Sequence, residues 1–264
     1  MELSRFLKGI RLMPEAVDQL ENIKITTEQY EKEKSYFHKD RKEFYRRICQ
    51  KENAHLLFLY YFCRFACETY DCYVEQGIED AVYWDTFYDF TLWCENCYRD
   101  YGEYGIAEYD WLYRHIEMSL FRLGRLQFEK TFAEPGWGIA HGEEVISIHI
   151  PQGEKLDIQA CRESIQRGIC FWGKEYMYVC DSWLLEPELR TLLKEGSNIL
   201  EFQKWFEIVS IDKNCRQAEE RIFRKVQDNP ADYSEETSLQ KAAKRYLMDG
   251  GQLGCGIGIL KIEE

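Results

Sequence analysis

The clearest strand signal in the chain is the run Val145-Ile146-Ser147-Ile148-His149-Ile150, in which isoleucines alternate with other side chains. A period of two places successive side chains on opposite faces of a sheet. The segment Pro151 to Asp157 has the proline, glycine and charged residues of a loop. Asp157 is a helix-capping residue type and predicts a helix that reaches about Trp172. With another strand at Tyr176 to Asp181, this order predicts adjacent parallel strands joined by a helix.

The rest of the chain after Gly124 also predicts a mixture of strands and helices. Apolar residues spaced by two predict strands, and Thr237, three positions before Gln240, predicts a helix start. The remaining predicted elements are a strand at Leu126 to Phe132, a turn at Glu134-Pro135-Gly136, short helices starting at Pro187 and after Asn198, a strand at Phe206 to Ile211, a helix at Cys215 to Val226, a helix from Thr237 to Asp249 and a strand at Gly256 to Ile262.

Residues before Gly124 predict helices throughout, because apolar residues recur at spacings of three or four. The predicted helices run from Leu3 to Ile10, onward from Pro14, from the capping box Thr26–Gln29 to about Gln50, from an Asn53 cap to about Gln76, from Ala81 to Arg99, and from Glu108 to about Leu120. No linker composition separates the two halves. The sequence therefore predicts an α+β fold, with a helical domain at residues 1–120 packed on a mixed α/β domain at residues 121–264.

Charge and composition argue against several classes of protein. The formal net charge is −13, and because basic contacts to phosphate supply most nucleic-acid affinity, no nucleic-acid partner is expected. No run reaches the roughly 18 apolar residues of a membrane span, and charges interrupt residues 1–13, so neither a membrane location nor a signal peptide is expected. The 11 cysteines are odd in number and lie mostly in apolar stretches, which predicts free thiols in the reducing cytoplasm.

Two cysteines and a group of glycines have the spacing of known motifs. Cys94 and Cys97 form a CxxC, but no second pair completes a zinc site, and an apolar helix surrounds them. Packing in the core is therefore the favoured role, and no metal site is expected. The glycines between Gly250 and Gly258 follow a predicted helix and lead into a strand, which is the reverse of the order in a phosphate loop.

His149 and Ser182 are the residues that the pattern marks for chemistry. His149 lies at the end of the strongest strand, where an imidazole that titrates near neutrality serves as a base. Ser182 follows the next strand, so adjacent parallel strands would bring the two to one sheet edge, where ligands usually bind. The alternatives are a structural histidine hydrogen-bonded beneath the loop, and helix capping by the serine. Capping is also the favoured role of Ser197 and Asn198.

Several longer blocks carry a family resemblance over nearly the whole chain. They are Ser119 to Glu129, His149-Ile150-Pro151 with Gly153, Ser182 to Leu189, Ser197-Asn198-Ile199, Trp93 to Tyr98, and Gly102-Glu103-Tyr104-Gly105. With these blocks the sequence resembles the bacterial family built from an N-acyltransferase N-terminal domain and a GNAT-like C-terminal domain. That resemblance implies acyl transfer from a coenzyme A thioester to an unidentified amine on a small molecule or a peptide.

The resemblance also implies where acyl-CoA would bind. The pantetheine arm would lie between strands Val145–Ile150 and Tyr176–Asp181, and the pyrophosphate would lie on the loop Pro151 to Asp157. His149 would be the base, and Ser182 would be a nearby polar group or the proton donor. Gln152, Gly153 and Lys155 would meet the cofactor.

The phosphate loop departs from the family pattern. In a GNAT fold, the loop motif starts with a glutamine or arginine. Any two residues, a glycine, any one residue, and a glycine or alanine follow in that order. This loop has one glycine and places Glu154 and Asp157 where phosphates would lie, and carboxylates are unfavourable there. A non-catalytic binding or scaffold protein that kept the fold without coenzyme A is therefore the alternative.

Overall fold

The computed structural model describes residues 1–262 and divides the chain into two compact units. The first unit comprises Met1–Leu123 together with the short segment Pro151–Gly153. The second comprises Gly124–Ile150 and the chain from Glu154 onward. The predicted fold class, a helical N-terminal half and a mixed α/β C-terminal half, is confirmed.

The first unit contains eight α-helices and one short strand among its described residues. The capping box predicted at Thr26 is present: the Thr26 hydroxyl accepts from the Gln29 backbone N–H, and the Gln29 side chain accepts from the Thr26 N–H. The elements are α1 (Leu3–Gly9), α2 (Pro14–Glu21), α3 (Thr27–Lys39), α4 (Arg41–Cys49), α5 (Ala54–Glu75), α6 (Asp80–Phe87), α7 (Asp89–Tyr101), α8 (Tyr109–Ile116) and β1 (Leu120–Arg122).

Two helices predicted as continuous are divided. The helix expected from Thr26 to Gln50 breaks at Asp40, whose carboxylate accepts from the Glu43 backbone N–H at 3.1 Å and so starts α4. The helix expected at Ala81 to Arg99 divides at Tyr88. Asn53 occupies the capping position of α5 in a left-handed conformation, but its side chain makes no capping bond. The last predicted helix, expected to reach about Leu120, ends at Ile116, and Leu120 is the first residue of strand β1.

Helix α5 forms the centre of the first unit. It buries eleven of its residues, and Phe62 and Phe65 pack with Phe37 and Phe44 of the preceding helices. Aromatic clusters of this kind supply a large share of core stability. No helix within residues 1–262 is long and apolar enough to cross a bilayer.

The cysteines of the CxxC motif belong to this core. Cys94 and Cys97 are both buried on α7. Burial raises the pKa of the Cys94 thiol to about 12 and that of Cys97 to about 11. Thiols held in the protonated form in this way are poor nucleophiles and poor metal ligands, which agrees with the packing role expected from the sequence.

The second unit is built on a mixed sheet. Its strands β2 to β6 have the order β2-β3-β4-β6-β5; β3 and β4 are parallel, and the other described neighbours are antiparallel. The elements are β2 (Gln127–Phe132), β3 (Glu144–His149), α9 (Ile158–Trp172), β4 (Met177–Ser182), a 3-10 helix (Trp183–Leu185), α10 (Leu189–Leu192), α11 (Asn198–Gln203), β5 (Phe206–Asp212), α12 (Gln217–Phe223), a 3-10 helix (Pro230–Asp232), α13 (Ser238–Met248) and β6 (Cys255–Leu260).

One face of this sheet packs closely against α9. A Cβ on Gly168 of α9 would stand 2.4 Å from Cε1 of Phe128, so only glycine permits this approach. The hydroxyl of Tyr178 donates to the carbonyl oxygens of Gly168 and Gly173. On the opposite face, Val145 and Val179 belong to a cluster that includes Ala133, Ile257 and the side chain of Trp137. The segment after β2 therefore covers part of this second face.

The expectation that all cysteines are free is wrong for two of them. Cys215 and Cys255 form a disulfide with a Cα–Cα distance of 5.8 Å. The pairing of β5 with β6 brings the start of β6 beside the chain that leaves β5, and so joins positions 40 residues apart. The helix predicted at Cys215 to Val226 is shorter at both ends, since α12 begins at Gln217 and ends at Phe223.

Candidate functional site

His149 pairs with a buried carboxylate from the neighbouring strand. In the antiparallel register of β2 and β3, Gln127 lies opposite His149 and Glu129 opposite Ser147, so all four side chains share one face of the sheet. His149 Nε2 lies 2.9 Å from Glu129 Oε2, and the two side chains are 23% and 9% exposed. The histidine is therefore accessible from one side and held by the carboxylate from another.

The hydrogen bond to Glu129 determines which nitrogen of His149 can act as a base. A carboxylate accepts hydrogen bonds, so the Nε2–H of a neutral imidazole donates to it. The lone pair then resides on Nδ1, which is the nitrogen that can take a proton. The carboxylate also stabilises the imidazolium that forms when Nδ1 is protonated, as in other histidine–carboxylate pairs.

Asp181 extends this polar region onto the next strand. It lies on the same sheet face as His149, two positions beyond the pair Ser147–Val179. Desolvation raises the pKa of the Asp181 carboxyl, and repulsion from Asp212 and Glu134 adds to the rise. The charge of His149 and a hydrogen bond from Trp137 act in the opposite direction. The carboxyl is thus less acidic than an ordinary aspartate and sits within the electrostatic field of the histidine.

Replacing Asp181 with asparagine is expected to raise the melting temperature at pH 7. A carboxyl with a raised pKa in the folded state destabilises the fold when it is ionised, and this penalty disappears below the unfolded-state pKa of about 3.9. The gain in Asp181→Asn should therefore shrink as the pH falls toward 4. Melting curves of both proteins across this range measure it, and a variant less stable than the wild type at pH 7 would contradict the expectation.

The parallel strands β3 and β4 stop pairing before they end. Their described pairs run from Val145–Met177 to Ser147–Val179. Beyond that level β4 pairs with β6 on its other edge as far as Ser182. Among the described residues, the β3–β4 ladder therefore ends before it reaches His149. The family resemblance implies that the pantetheine arm of acyl-CoA lies between these two strands, and the β3–β4 ladder ends where that arm would lie.

Ser182 does not lie beside His149. Residues alternate along β4, so Ser182 lies on the face opposite to Asp181 and His149. Its side chain is buried, and its hydroxyl accepts from the Leu184 backbone N–H at 3.2 Å, which caps the 3-10 helix Trp183–Leu185. The structure thus shows the capping role that the sequence left open, and a role for Ser182 as proton donor stays a prediction.

The three residues predicted to meet the cofactor lie on the loop between β3 and α9. Gln152 is half-buried, and Gly153 and Lys155 are exposed. Gly153 has φ +93, a conformation that favours glycine, and within the first unit a Cβ there would lie 3.2 Å from the Leu92 side chain. The loop then enters α9 through Asp157, whose carboxylate accepts from the Ala160 N–H at 2.8 Å. That bond confirms the predicted cap.

Arg125 holds this loop, a role that no pattern in the sequence indicated. Its guanidinium donates to the carbonyl oxygens of Glu154 and Lys155, both at 2.9 Å. Because Arg125 is itself buried, these two hydrogen bonds hold the backbone of Glu154 and Lys155 close to the core of the second unit. The signal available in the sequence was its place in the block Ser119 to Glu129. Glu129 lies in the same block and was also unassigned.

Family models cover almost the entire chain. The N-acyltransferase N-terminal domain matches residues 1–118, and the GNAT-like C-terminal domain matches residues 120–260. No protein of curated function matches the sequence.

Solved structures share the fold at low sequence identity. One is the crystal structure of an acyltransferase in complex with decanoyl-CoA and teicoplanin, with a TM-score of 0.79, 19% identity, and coverage of 99% of this chain and 88% of that one. Another, an acyltransferase in complex with decanoyl-CoA, has a TM-score of 0.78, 20% identity, and coverage of 98% and 87%. The chain therefore belongs to the family that joins an N-acyltransferase N-terminal domain to a GNAT-like C-terminal domain.

Proposed function

We propose that this protein is an N-acyltransferase that moves an acyl group from a coenzyme A thioester to an amine. The proposal rests on the position of the hydrogen-bonded His149 and Glu129 side chains. His149 lies two residues beyond Ser147, the last residue of β3 that is paired with β4. A base at that point can reach an amine that approaches a thioester held between the two strands. Bound acyl-CoA would supply the activated acyl group.

The chain's own residues would perform the remaining tasks. His149 would take the proton of the attacking amine, and Glu129 would orient the imidazole and stabilise its charge. The edges of β3 and β4 would bind the pantetheine amides. The pyrophosphate would lie near Gln152, Gly153 and Lys155, before the positive N-terminal end of α9.

The similar acyltransferases support this choice of donor and suggest an acceptor. They were crystallised with decanoyl-CoA, octanoyl-CoA, or CoA together with a 10C-teicoplanin. A medium-length acyl chain is therefore the first donor to try here. A teicoplanin-type compound that carries an amine is the corresponding first acceptor.

One observation favours a second candidate, a binding or scaffold protein that kept the fold without coenzyme A. The Asp157 carboxylate already occupies the N-terminal end of α9 through its bond to Ala160 N–H. A carboxylate there repels phosphate, and exposed Glu154 adds a second negative charge. Lys155 is the basic side chain of this loop that offsets them.

Thermal unfolding with and without acyl-CoA separates the two candidates. The purified protein would be titrated with acetyl-, octanoyl- and decanoyl-CoA, with free CoA and the matching fatty acids as controls. A ligand at 100 times its Kd stabilises the fold by about 2.7 kcal/mol, which is a measurable shift. We expect a saturable shift with at least one acyl-CoA. The absence of any shift at millimolar ligand would favour the binding-protein alternative.

A further inference from the structure

The side-chain amide of Gln127 is a buried donor without a partner in the part of the chain described. Gln127 is 2% exposed, and its Nε2 meets no hydrogen-bond acceptor within residues 1–262. An unpaired buried polar group destabilises the folded state, because it has lost its hydrogen bonds to water without replacing them. Such groups are rare in folded proteins, and a ligand that completes the bond is one explanation for their presence.

Gln127 stands next to the candidate base. It is the residue of β2 directly opposite His149 of β3, on the same face of the sheet. The Cβ atoms of residues opposite each other in an antiparallel pair lie about 4.5–5.5 Å apart. Glu129, two residues further along β2, occupies His149 Nε2. The orphaned amide therefore belongs to the same site and is not used by the histidine–carboxylate pair.

The chemistry of the site identifies the atom that this amide can bind. An NH₂ group donates and does not accept. In the proposed reaction, on which this inference rests, the acceptor nitrogen uses its lone pair for attack and its proton goes to His149. The carbonyl oxygen of the thioester remains as the hydrogen-bond acceptor among the reacting atoms. We infer that the Gln127 amide donates a hydrogen bond to the carbonyl oxygen of the acyl group that is transferred.

This bond would strengthen as the reaction proceeds. The acceptor nitrogen forms a bond to the carbonyl carbon, and the π electrons of the carbonyl move onto its oxygen. When they return, the C–S bond breaks and the sulfur leaves with the bonding pair, while the proton from nitrogen resides on His149. A fixed donor that faces an oxygen with growing negative charge, in a site that excludes water, accelerates such reactions by about 10²–10³-fold.

The test is Gln127→Met, which keeps the length of the side chain and removes the donor. We expect kcat to fall by about 10²–10³-fold with little change in KM. The melting temperature should stay the same or rise, because an unpaired buried donor has been replaced by an apolar group. Gln166→Met, at an exposed position in the middle of α9, is the matched control and should change neither quantity.

A spectroscopic measurement tests the bond apart from turnover. Infrared spectra of acyl-CoA labelled with ¹³C at the carbonyl would be recorded on the wild type and on Gln127→Met without an acceptor amine. A hydrogen bond lowers the stretching frequency, so the band should lie lower on the wild type than on the variant. A thioether analogue, which has no carbonyl, should bind both proteins equally.

The outcomes separate this inference from the proposed function. If the wild type binds acyl-CoA and transfers the acyl group, but Gln127→Met has the same carbonyl band and a kcat within threefold, Gln127 is not the donor. A lower kcat with an unchanged band would show that the residue acts on the structure and would also overturn the inference. If no acyl-CoA binds to the wild type, the proposed function fails and the inference fails with it.

Discussion

His149→Gln is expected to lower the rate of acyl transfer by about 10²–10⁴-fold, the usual contribution of a positioned general base. The glutamine amide can still donate to Glu129, so the hydrogen bond that His149 Nε2 makes at 2.9 Å can be retained in part. It cannot accept a proton at neutral pH. The variant should therefore keep a melting temperature within a few degrees of the wild type while losing turnover. Initial rates with a saturating donor measure the effect.

His141→Gln is the matched control for this experiment. His141 lies in the segment between β2 and β3, and it is exposed. The same substitution there should leave both rate and stability unchanged. If His149→Gln instead retains more than a third of the wild-type rate, His149 is not the base. If it unfolds while His141→Gln does not, the histidine has the structural role that the sequence left open.

Glu186→Ala is expected to lower the free energy of unfolding by about 1–3 kcal/mol, the cost of leaving a buried hydrogen-bond donor without its acceptor. The Glu186 carboxylate is fully buried. One of its oxygens accepts from Lys213 Nζ at 2.7 Å, and the other accepts from the Gly254 backbone N–H at 2.7 Å. Truncation leaves a buried N–H without an acceptor and a cavity beneath the turn into β6. Urea unfolding, with the free energy extrapolated to water, measures the loss.

Two variants bracket this prediction. Glu195→Ala removes an exposed carboxylate of the same half and should change the free energy of unfolding by no more than about 0.5 kcal/mol. Glu186→Gln keeps an oxygen that can accept from Gly254 and should fall between the wild type and alanine. A loss below about 1 kcal/mol in Glu186→Ala would show that the network around this carboxylate contributes little to stability.

The local elements of this protein were predictable from sequence because they depend on neighbours within a few residues. The capping boxes at Thr26 and Thr237 bond residues three positions apart, and Asp157 caps α9 in the same way. The alternation in Val145 to Ile150 needs only the period of a strand. Where a local rule was incomplete, as at Asp40, the helix ended earlier than its apolar spacing indicated.

Most partners of the candidate site depend on contacts that sequence patterns do not contain. His149 could be proposed as a base from its place at a strand end, but Glu129, 20 residues earlier, becomes its partner only through the register of β2 and β3. The same register leaves Gln127 beside His149. Arg125 reaches the loop from 30 residues away. A shift of one residue in the register of β2 and β3 would turn Gln127 and Glu129 to the other face of the sheet, away from His149.

Sequence alone thus determined the helical and mixed halves, the strand that carries His149 and the cap of the helix that follows it. Tertiary structure decided that Ser182 faces away from His149, that Glu186 accepts from Gly254 across 68 residues, and that Cys215 meets Cys255. The physical reason is the range of the interactions. Backbone periodicity and capping act within one or two turns, whereas strand pairing and burial join residues whose separation along the chain carries no pattern.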